Sequence, residues 1–237
     1  MKIQPPILVL TGAGVSADSG VSTFRDAGGL WEGTRIEDVA TPEGFARDPV
    51  KVWRWYDERR VQVASCEPNA AHRAIVEMEK TFGDDFTLIT QNVDGLHERA
   101  GSRAIHRLHG SLWSMRCTGD GRRFEQREVP LPSIPPVCSE CGEMLRPDVV
   151  WFGELLDAAI LDAAATAAER ARTVLVIGTS GVVYPAAMLQ LIALEHGARV
   201  VEFNPERTAL SEIATEYVAG RAAVTVPSWW NAHRPST

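Results

Sequence analysis

Five short apolar runs, at 7–10, 86–90, 173–177, 199–203 and 222–226, recur along the chain. Several end in Gly, Asn or Thr and lead into stretches with helical character. Runs this short and continuously apolar suit strands buried on both faces, and crossover helices covering a parallel sheet produce that kind of burial. The pattern predicts an α/β fold with a doubly wound, Rossmann-like parallel sheet. Helix starts fall between the runs. Asp48-Pro49 reads as an N-cap and first-turn proline for a helix reaching about residue 65, Asn69 as the cap of 70–80, and Asn204-Pro205 as the opening of a helix carrying Leu210, Ile213 and Tyr217. The alanine-rich stretch 157–172 is intrinsically helical.

Two segments break the alternation. Residues 32–71 are helical in character and rich in Trp, Arg and acidic side chains, and 113–146 contain three of the four cysteines and the proline-rich run VPLPSIPPVC. We read both as insertions that fold together into a smaller, discontinuous domain: a helical module at 32–71 and a zinc-ribbon-like module at 113–146. The large domain then comprises 1–31, 72–112 and 147–237. A chain of 237 residues can bury one large core with such a module attached.

The formal charge of −7 argues against strong nonspecific binding to nucleic acid. Residues 173–194 are the most apolar long segment, but Gly178, Gly181 and Pro185 divide it into strand, turn and helix, so no membrane span is expected. Met1 leads almost directly into an apolar run, leaving no room for a signal peptide, and a cytoplasmic protein is expected. Four cysteines at this length do not suggest a disulfide framework, whereas Cys138-Ser-Glu-Cys141 suggests metal or redox chemistry.

The chemistry-bearing residues cluster at the ends of the expected strands. Gly12-Ala13-Gly14-Val-Ser-Ala17 follows the first run and fits a glycine fingerprint, since glycine lets backbone approach a pyrophosphate closely. A purely structural glycine turn fits equally. A dehydrogenase would next offer a second strand and an acidic ribose contact, but no convincing strand precedes Asp38. Gln91, Asn92 and Asp94 crowd the end of the second run, where they could orient a ribose or stabilise a turn. His109 precedes Gly110 and, like His106, reads either as a proton acceptor or as a structural imidazole. Gly178-Thr179-Ser180 and Asn204 with Glu206 close two later runs.

Taken in order, GAGVSADSGVSTFRD, TQNVDGLH, LHG, VVWFGE, GTSGVVYPA and EFNPE resemble the sirtuin family of NAD-dependent protein-lysine deacylases across 8–227. The resemblance implies NAD as co-substrate and acyl-lysine proteins as partners. It implies that Gly12, Ala13, Gly14, Ala17, Asp18, Thr23, Phe24, Arg25 and Trp31 line the cofactor, with the loop from Phe24 covering the reacting ribose. It places Gln91, Asn92, Val93 and Asp94 on the ribose and nicotinamide side, and Gly178, Thr179, Ser180, Asn204, Pro205, Glu206 and Ala222 on the phosphate and adenosine side. His109 aligns with the general base, and Val150, Phe152, Gly153 and Glu154 with the segment that pairs with substrate backbone.

Tyr56 and Arg59 resemble the Tyr-x-x-Arg signature of class III sirtuins, which prefer succinyl- and malonyl-lysine. Three apart on a helix, they share a face, and a guanidinium with a phenol can hold a carboxylate. A surface aromatic–Arg pair is the plainer account. The family commonly holds structural zinc with two Cys-x-x-Cys pairs. Here Cys138 and Cys141 are intact, but Cys117-Thr-Gly-Asp120 puts a carboxylate in the remaining place, so a zinc site of Cys117, Cys138 and Cys141 with Asp120 as the fourth ligand and a metal-free module both fit, and zinc is the expectation. Mono-ADP-ribosyl transfer and a noncatalytic NAD sensor are the competing functions.

Overall fold

The computed structural model describes residues 2–22, 34–181 and 183–235. Its strands are β1 (Ile7–Thr11), β2 (Phe86–Thr90), β3 (Ile105–Arg107), β4 (Gly110–Cys117), β5 (Arg123–Glu125), β6 (Leu145–Val149), β7 (Thr173–Ile177), β8 (Arg199–Asn204) and β9 (Glu216–Ala219). Its α-helices are α1 (Ile36–Val39), α2 (Pro42–Arg47), α3 (Pro49–Ala64), α4 (Ala70–Phe82), α5 (Leu96–Ala100), α6 (Ala158–Arg170), α7 (Ala186–Glu195) and α8 (Ala222–His233).

Six strands form a wholly parallel sheet in the order β3-β2-β1-β7-β8-β9. Counted along the chain within that sheet, the order is 3-2-1-4-5-6, the doubly wound Rossmann arrangement. Alternation along each strand sends side chains to two separate cores. Ile7, Val9, Leu88, Leu175, Ile177 and Phe203 face α4 and α8. Leu8, Leu10, Ile89, Val174, Val176 and Val200 face α6 and α7. Both faces are thereby covered, which is why the runs read as continuously apolar.

The helix caps follow the chain chemistry. Asp48 Oδ1 accepts from Lys51 N at 2.9 Å, and Asn69 Oδ1 accepts from Ala71 N at 2.9 Å. Asp157 Oδ1 similarly accepts from Ala159 N at 3.0 Å. Each satisfies a first-turn donor that the helix cannot.

Two expectations are corrected. Residues 222–226 are the first turns of α8, and the sixth strand is β9, which is half-buried. A five-residue apolar run has no readable period, and what decides for helix is the spacing of Ala222, Val226, Trp229 and Trp230, all buried on one face. Asn204-Pro205 opens no α-helix. Asn204 ends β8, a short 3₁₀ turn at Ala209–Glu212 is capped by Thr208, and Tyr217 lies in β9.

β4, β5 and β6 form a separate antiparallel sheet in the order β5-β4-β6. Its residues Leu112, Trp113, Met115, Cys117 and Leu145 share one core with Val52, Trp53, Tyr56 and Val63 of α3. Two buried polar side chains tie the cysteine-bearing and helical segments together. Arg60 donates to the carbonyls of Leu112 (2.6 Å), Gln126 (2.9 Å) and Glu128 (3.0 Å), and Asp57 accepts from Leu131 N at 2.9 Å.

Candidate functional site

β1 and β7 are neighbours from which the chain winds in opposite directions, so their C-terminal ends form the crevice where open α/β sheets take ligands. The floor of that crevice is main chain. Gly12 N donates to Ile177 O at 3.0 Å and Gly14 N to Gly178 O at 2.9 Å. A Cβ on Gly14 would lie 2.7 Å from Gly178 Cα, and one on Gly12 would lie 2.9 Å from Thr179 Cα. Gly178 itself has φ +61°, a left-handed conformation that suits glycine. These glycines therefore bring two loops into contact, besides leaving room above them. Ala13–Val15 and Ala17–Ser19 are short 3₁₀ turns.

Thr179 is held from two sides, its hydroxyl accepting from Gln91 Nε2 at 3.1 Å and its carbonyl from Asn204 Nδ2 at 2.7 Å. The Asn204 carbonyl accepts from Tyr217 Oη at 3.0 Å. Gln91, Thr179 and Asn204, read from three separate runs, thus meet at one sheet end. Ser180 is half-buried beside them, while Pro205 and Glu206 are exposed. Asp18 accepts from Ala223 N at 3.3 Å and pairs with Arg221 at 3.2 Å, which brings it beside Ala222 at the start of α8. Thr23, Phe24, Arg25 and Trp31 lie outside the described residues.

Behind the crevice lies a buried polar network. Ser16, fully buried, donates to Asp94 Oδ2 at 2.7 Å and accepts from Asn92 Nδ2 at 3.2 Å. His72 Nδ1 accepts from Asn69 N at 3.2 Å, so its Nε2 carries the proton and faces Ser16 Oγ at 3.4 Å. His97 Nε2 lies 2.9 Å from Thr11 Oγ1, which donates to Thr90 Oγ1, and the two imidazoles meet edge to face at 4.8 Å. Burial pushes His72 down to about 2 and His97 to about 4, and it raises the Asp94 carboxyl. Asp94 is fixed further by Leu96 N at 2.8 Å and by Trp113 Nε1, which donates to its carbonyl at 2.6 Å. Val93 joins the core beneath β4. Of this network the sequence reading names only Asn92 and Asp94. Thr90 and His97 bound the quoted TQNVDGLH stretch and Ser16 lies in GAGVSADSG, whereas Thr11 and His72 come from other segments and carry no local signal.

His109 follows β3 at the mouth of the crevice. Its Nδ1 lies 3.0 Å from the Gln91 carbonyl, which can only accept, so Nδ1 carries the proton and Nε2 is the basic nitrogen. Burial lowers its pKa and the Gln91 bond partly opposes this, which leaves the imidazole neutral at pH 7. His106, the other candidate, is a half-buried residue of the edge strand β3.

The segment after β6 bridges His109 to α1. Val150 N donates to His109 O and Phe152 N to Ala40 O, both at 3.0 Å. The Glu154 carboxylate closes this turn on itself, accepting from Trp151 N at 2.8 Å and from Arg146 at 2.5 and 2.9 Å. Gly153 has φ +88° and open space around it, and Phe152 is largely exposed. Tyr56 reaches the same segment: its hydroxyl accepts from Trp151 Nε1 at 2.9 Å. Arg59, on the same side of α3, stacks its guanidinium 3.5 Å from the Trp55 ring centroid and donates to Trp55 O at 2.8 Å. Desolvation lowers Arg59 to about 10, so its charge is held in a poorly hydrated place.

Cys117, Cys138 and Cys141 bring their sulfurs within 4.8 Å of one another. A tetrahedral zinc–thiolate site with bonds of about 2.3 Å needs sulfurs about 3.8 Å apart, and the soft donor set suits zinc. Asp120 is not in that group, and its carboxylate accepts from Arg122 N at 3.0 Å and Arg122 Nε at 2.7 Å. Cys66 is buried elsewhere. No helix among the described residues is long and apolar enough to cross a membrane.

The glycine cradle and its ring of amide and hydroxyl donors suit a pyrophosphate-bearing nucleotide. Comparison with known proteins points the same way. The Sir2 family pattern matches residues 12–185. The NAD-dependent protein deacylase of Aquifex aeolicus is 49% identical over 92% of this chain and 90% of its own length. NAD-dependent protein deacylase 2 of Pyrobaculum aerophilum is 51% identical over 93% and 88%. A Sir2 homologue solved with ADP-ribose superposes with a TM-score of 0.91 at 46% identity, covering 96% of this chain and 91% of that one. A Sir2 homologue solved with NAD gives a TM-score of 0.90 at 47% identity, covering 96% and 89%. With the doubly wound sheet, the paired glycine loops and the half-buried imidazole at its mouth in place, these matches establish that the chain belongs to the Sir2 family.

Proposed function

We propose that this protein is an NAD-dependent protein-lysine deacylase acting on succinyl- and malonyl-lysine, and on acetyl-lysine as well. The observation that carries this reading is His109, whose Nε2 is left basic by the Gln91 bond while its own carbonyl anchors the Val150 segment. One residue thereby links the crevice to the strip expected to pair with substrate main chain.

NAD supplies an electrophilic ribose carbon and nicotinamide as leaving group. In this reading Gly12, Ala13, Gly14, Gly178, Thr179 and Ser180 cradle its phosphates. Asn204, Pro205, Glu206, Ala222 and Asp18 flank the adenosine, and Gln91, Asn92 and Asp94 hold the ribose and carboxamide side. Thr23, Phe24, Arg25 and Trp31 complete the cover. The acyl-lysine carbonyl oxygen displaces nicotinamide at the ribose carbon; His109 then takes a proton from a ribose hydroxyl at Nε2, so that the sugar oxygen can attack the acyl carbon, and addition of water releases lysine and leaves the acyl group on the sugar. The neutral imidazole at pH 7 is the form that can accept that proton. Val150, Phe152, Gly153 and Glu154 meet the substrate main chain, Glu154 acting by shaping the turn through Arg146. Zinc at Cys117, Cys138 and Cys141 would be structural, stapling the end of β4 to the 138–141 turn.

For the acyl group, Arg59 offers a partly desolvated guanidinium and Tyr56 a phenol beside Trp151. A dicarboxylate-derived acyl chain ends in the carboxylate such a pair would hold; acetyl does not. The test is mass spectrometry of one lysine peptide carrying succinyl, malonyl or acetyl, with and without NAD. The expected products are nicotinamide, free lysine and 2′-O-acyl-ADP-ribose. ADP-ribosylated peptide would instead indicate transfer to another nucleophile, and no acyl-dependent nicotinamide release would exclude catalysis.

A further inference from the structure

We propose that the cysteine cluster is a three-thiolate zinc site whose fourth coordination position is open to solution, with Asp120 kept out of the coordination sphere by Arg122. Among the described residues, the group close enough to hold a metal is Cys117, Cys138 and Cys141, with no fourth His, Asp or Glu. Asp120 stands where a second thiolate of the first pair would be and its carboxylate interacts with the Cys117 side chain, yet both its oxygens are engaged by Arg122, one through the main-chain N–H and one through Nε. The same guanidinium reaches Glu140, between the other two cysteines, at 3.5 Å. An ion pair thus joins the two turns at the place where a metal–ligand bond would.

Partner exchange explains why zinc would not capture the carboxylate. Coordination would cost Asp120 its Arg122 guanidinium, and toward a centre that already holds three soft thiolates an oxygen donor regains less than a fourth thiolate would. The module also has protein contacts to hold its shape without a fourth ligand. Each turn closes on its own cysteine carbonyl, Gly121 N to Cys117 O at 3.1 Å and Gly142 N to Cys138 O at 2.9 Å. Thr118 N and Cys138 N add bonds to Met144 O and Glu143 O at 3.0 and 2.7 Å. Cys117 and Cys138 are buried while Cys141 is exposed, so a metal held by the three sulfurs would be reached from solution on the Cys141 side. There a neutral nitrogen donor or a free thiolate could serve as its fourth ligand.

The full chain loaded with Co(II) in place of zinc makes this visible, because thiolate-to-metal charge-transfer and d–d bands report the donor set. Titration with imidazole is expected to shift the d–d bands with a saturable isotherm. Asp120→Ala should keep both that response and the zinc affinity, within about threefold, where loss of a true ligand or its support costs about tenfold or more. Asp120→Cys should tighten zinc about tenfold or more and abolish the imidazole response. Arg122→Ala frees Asp120 and should blunt the response without touching any sulfur. The proposal is overturned if Asp120→Ala weakens zinc about tenfold, if imidazole leaves the parent spectrum unchanged, or if the parent binds neither metal.

Discussion

Acidification from pH 7 to pH 5 is expected to remove a large share of the stability through the paired imidazoles behind the crevice. His97 is held at about 4 and His72 at about 2, both by burial, while an unfolded histidine titrates near 6.5. Because the folded values lie below the unfolded one, the unfolded chain binds more protons. Stability is therefore full above about 6.5 and falls as pH drops through that value, the loss levelling off only near the folded pKa. At pH 5 the linkage expression gives about 2 kcal/mol for each residue, about 4 kcal/mol together, against a typical total of 5–15. Asp94 acts in the opposite sense, since its raised pKa means that its burial penalty is relieved on protonation. His97→Gln isolates the imidazole term: the amide can still reach Thr11 but does not titrate. Urea unfolding at both pH values should show the variant losing about 2 kcal/mol less than the parent on acidification. Equal losses in parent and variant would refute the assignment of a neutral, desolvated His97.

Gly14→Ala should drive the β1 and β7 loops apart, because its Cβ would meet Gly178 Cα at 2.7 Å; a thermal melt should show about 1–3 kcal/mol of destabilisation, and calorimetry weaker NAD binding. Arg59→Met should lower kcat/KM for succinyl-peptide about tenfold or more while changing acetyl-peptide turnover little, and equal losses would remove the carboxylate role. His109→Ala should cost about a hundredfold or more in turnover of every acyl-peptide, as removal of a general base does. In the parent, the acid limb of kcat/KM should fall below the ordinary imidazole range, since burial lowers His109.

The sheet was legible in the sequence wherever a run was buried on both faces, because full burial leaves no polar interruption. The half-buried β9 was not, as its Glu216 and Tyr217 break the apolar signal. The run at 222–226 misled for the converse reason: the residues that reveal a helical face, Trp229 and Trp230, lie beyond it. Caps at Asp48 and Asn69 could be read because a cap is a local bond, whereas the Ser16–Asp94 and His97–Thr11 contacts join residues 78 and 86 positions apart and carry no local periodicity. Arg60 shows the same limit beside Arg59. One enters a core and the other stacks on Trp55, a difference set by what packs on each side of α3.

The contact between the Gly12–Gly14 turn and Gly178 carries a consequence for redesign. A binding floor assembled from peptide groups has no side chains to exchange, so its contour is inherited with the backbone and tolerates almost no mutational tuning. Any reprogramming of nucleotide preference must come from the rim, at positions such as Thr179, Asn204 and Asp18, where a new side chain can be admitted without prising the two halves of the sheet apart.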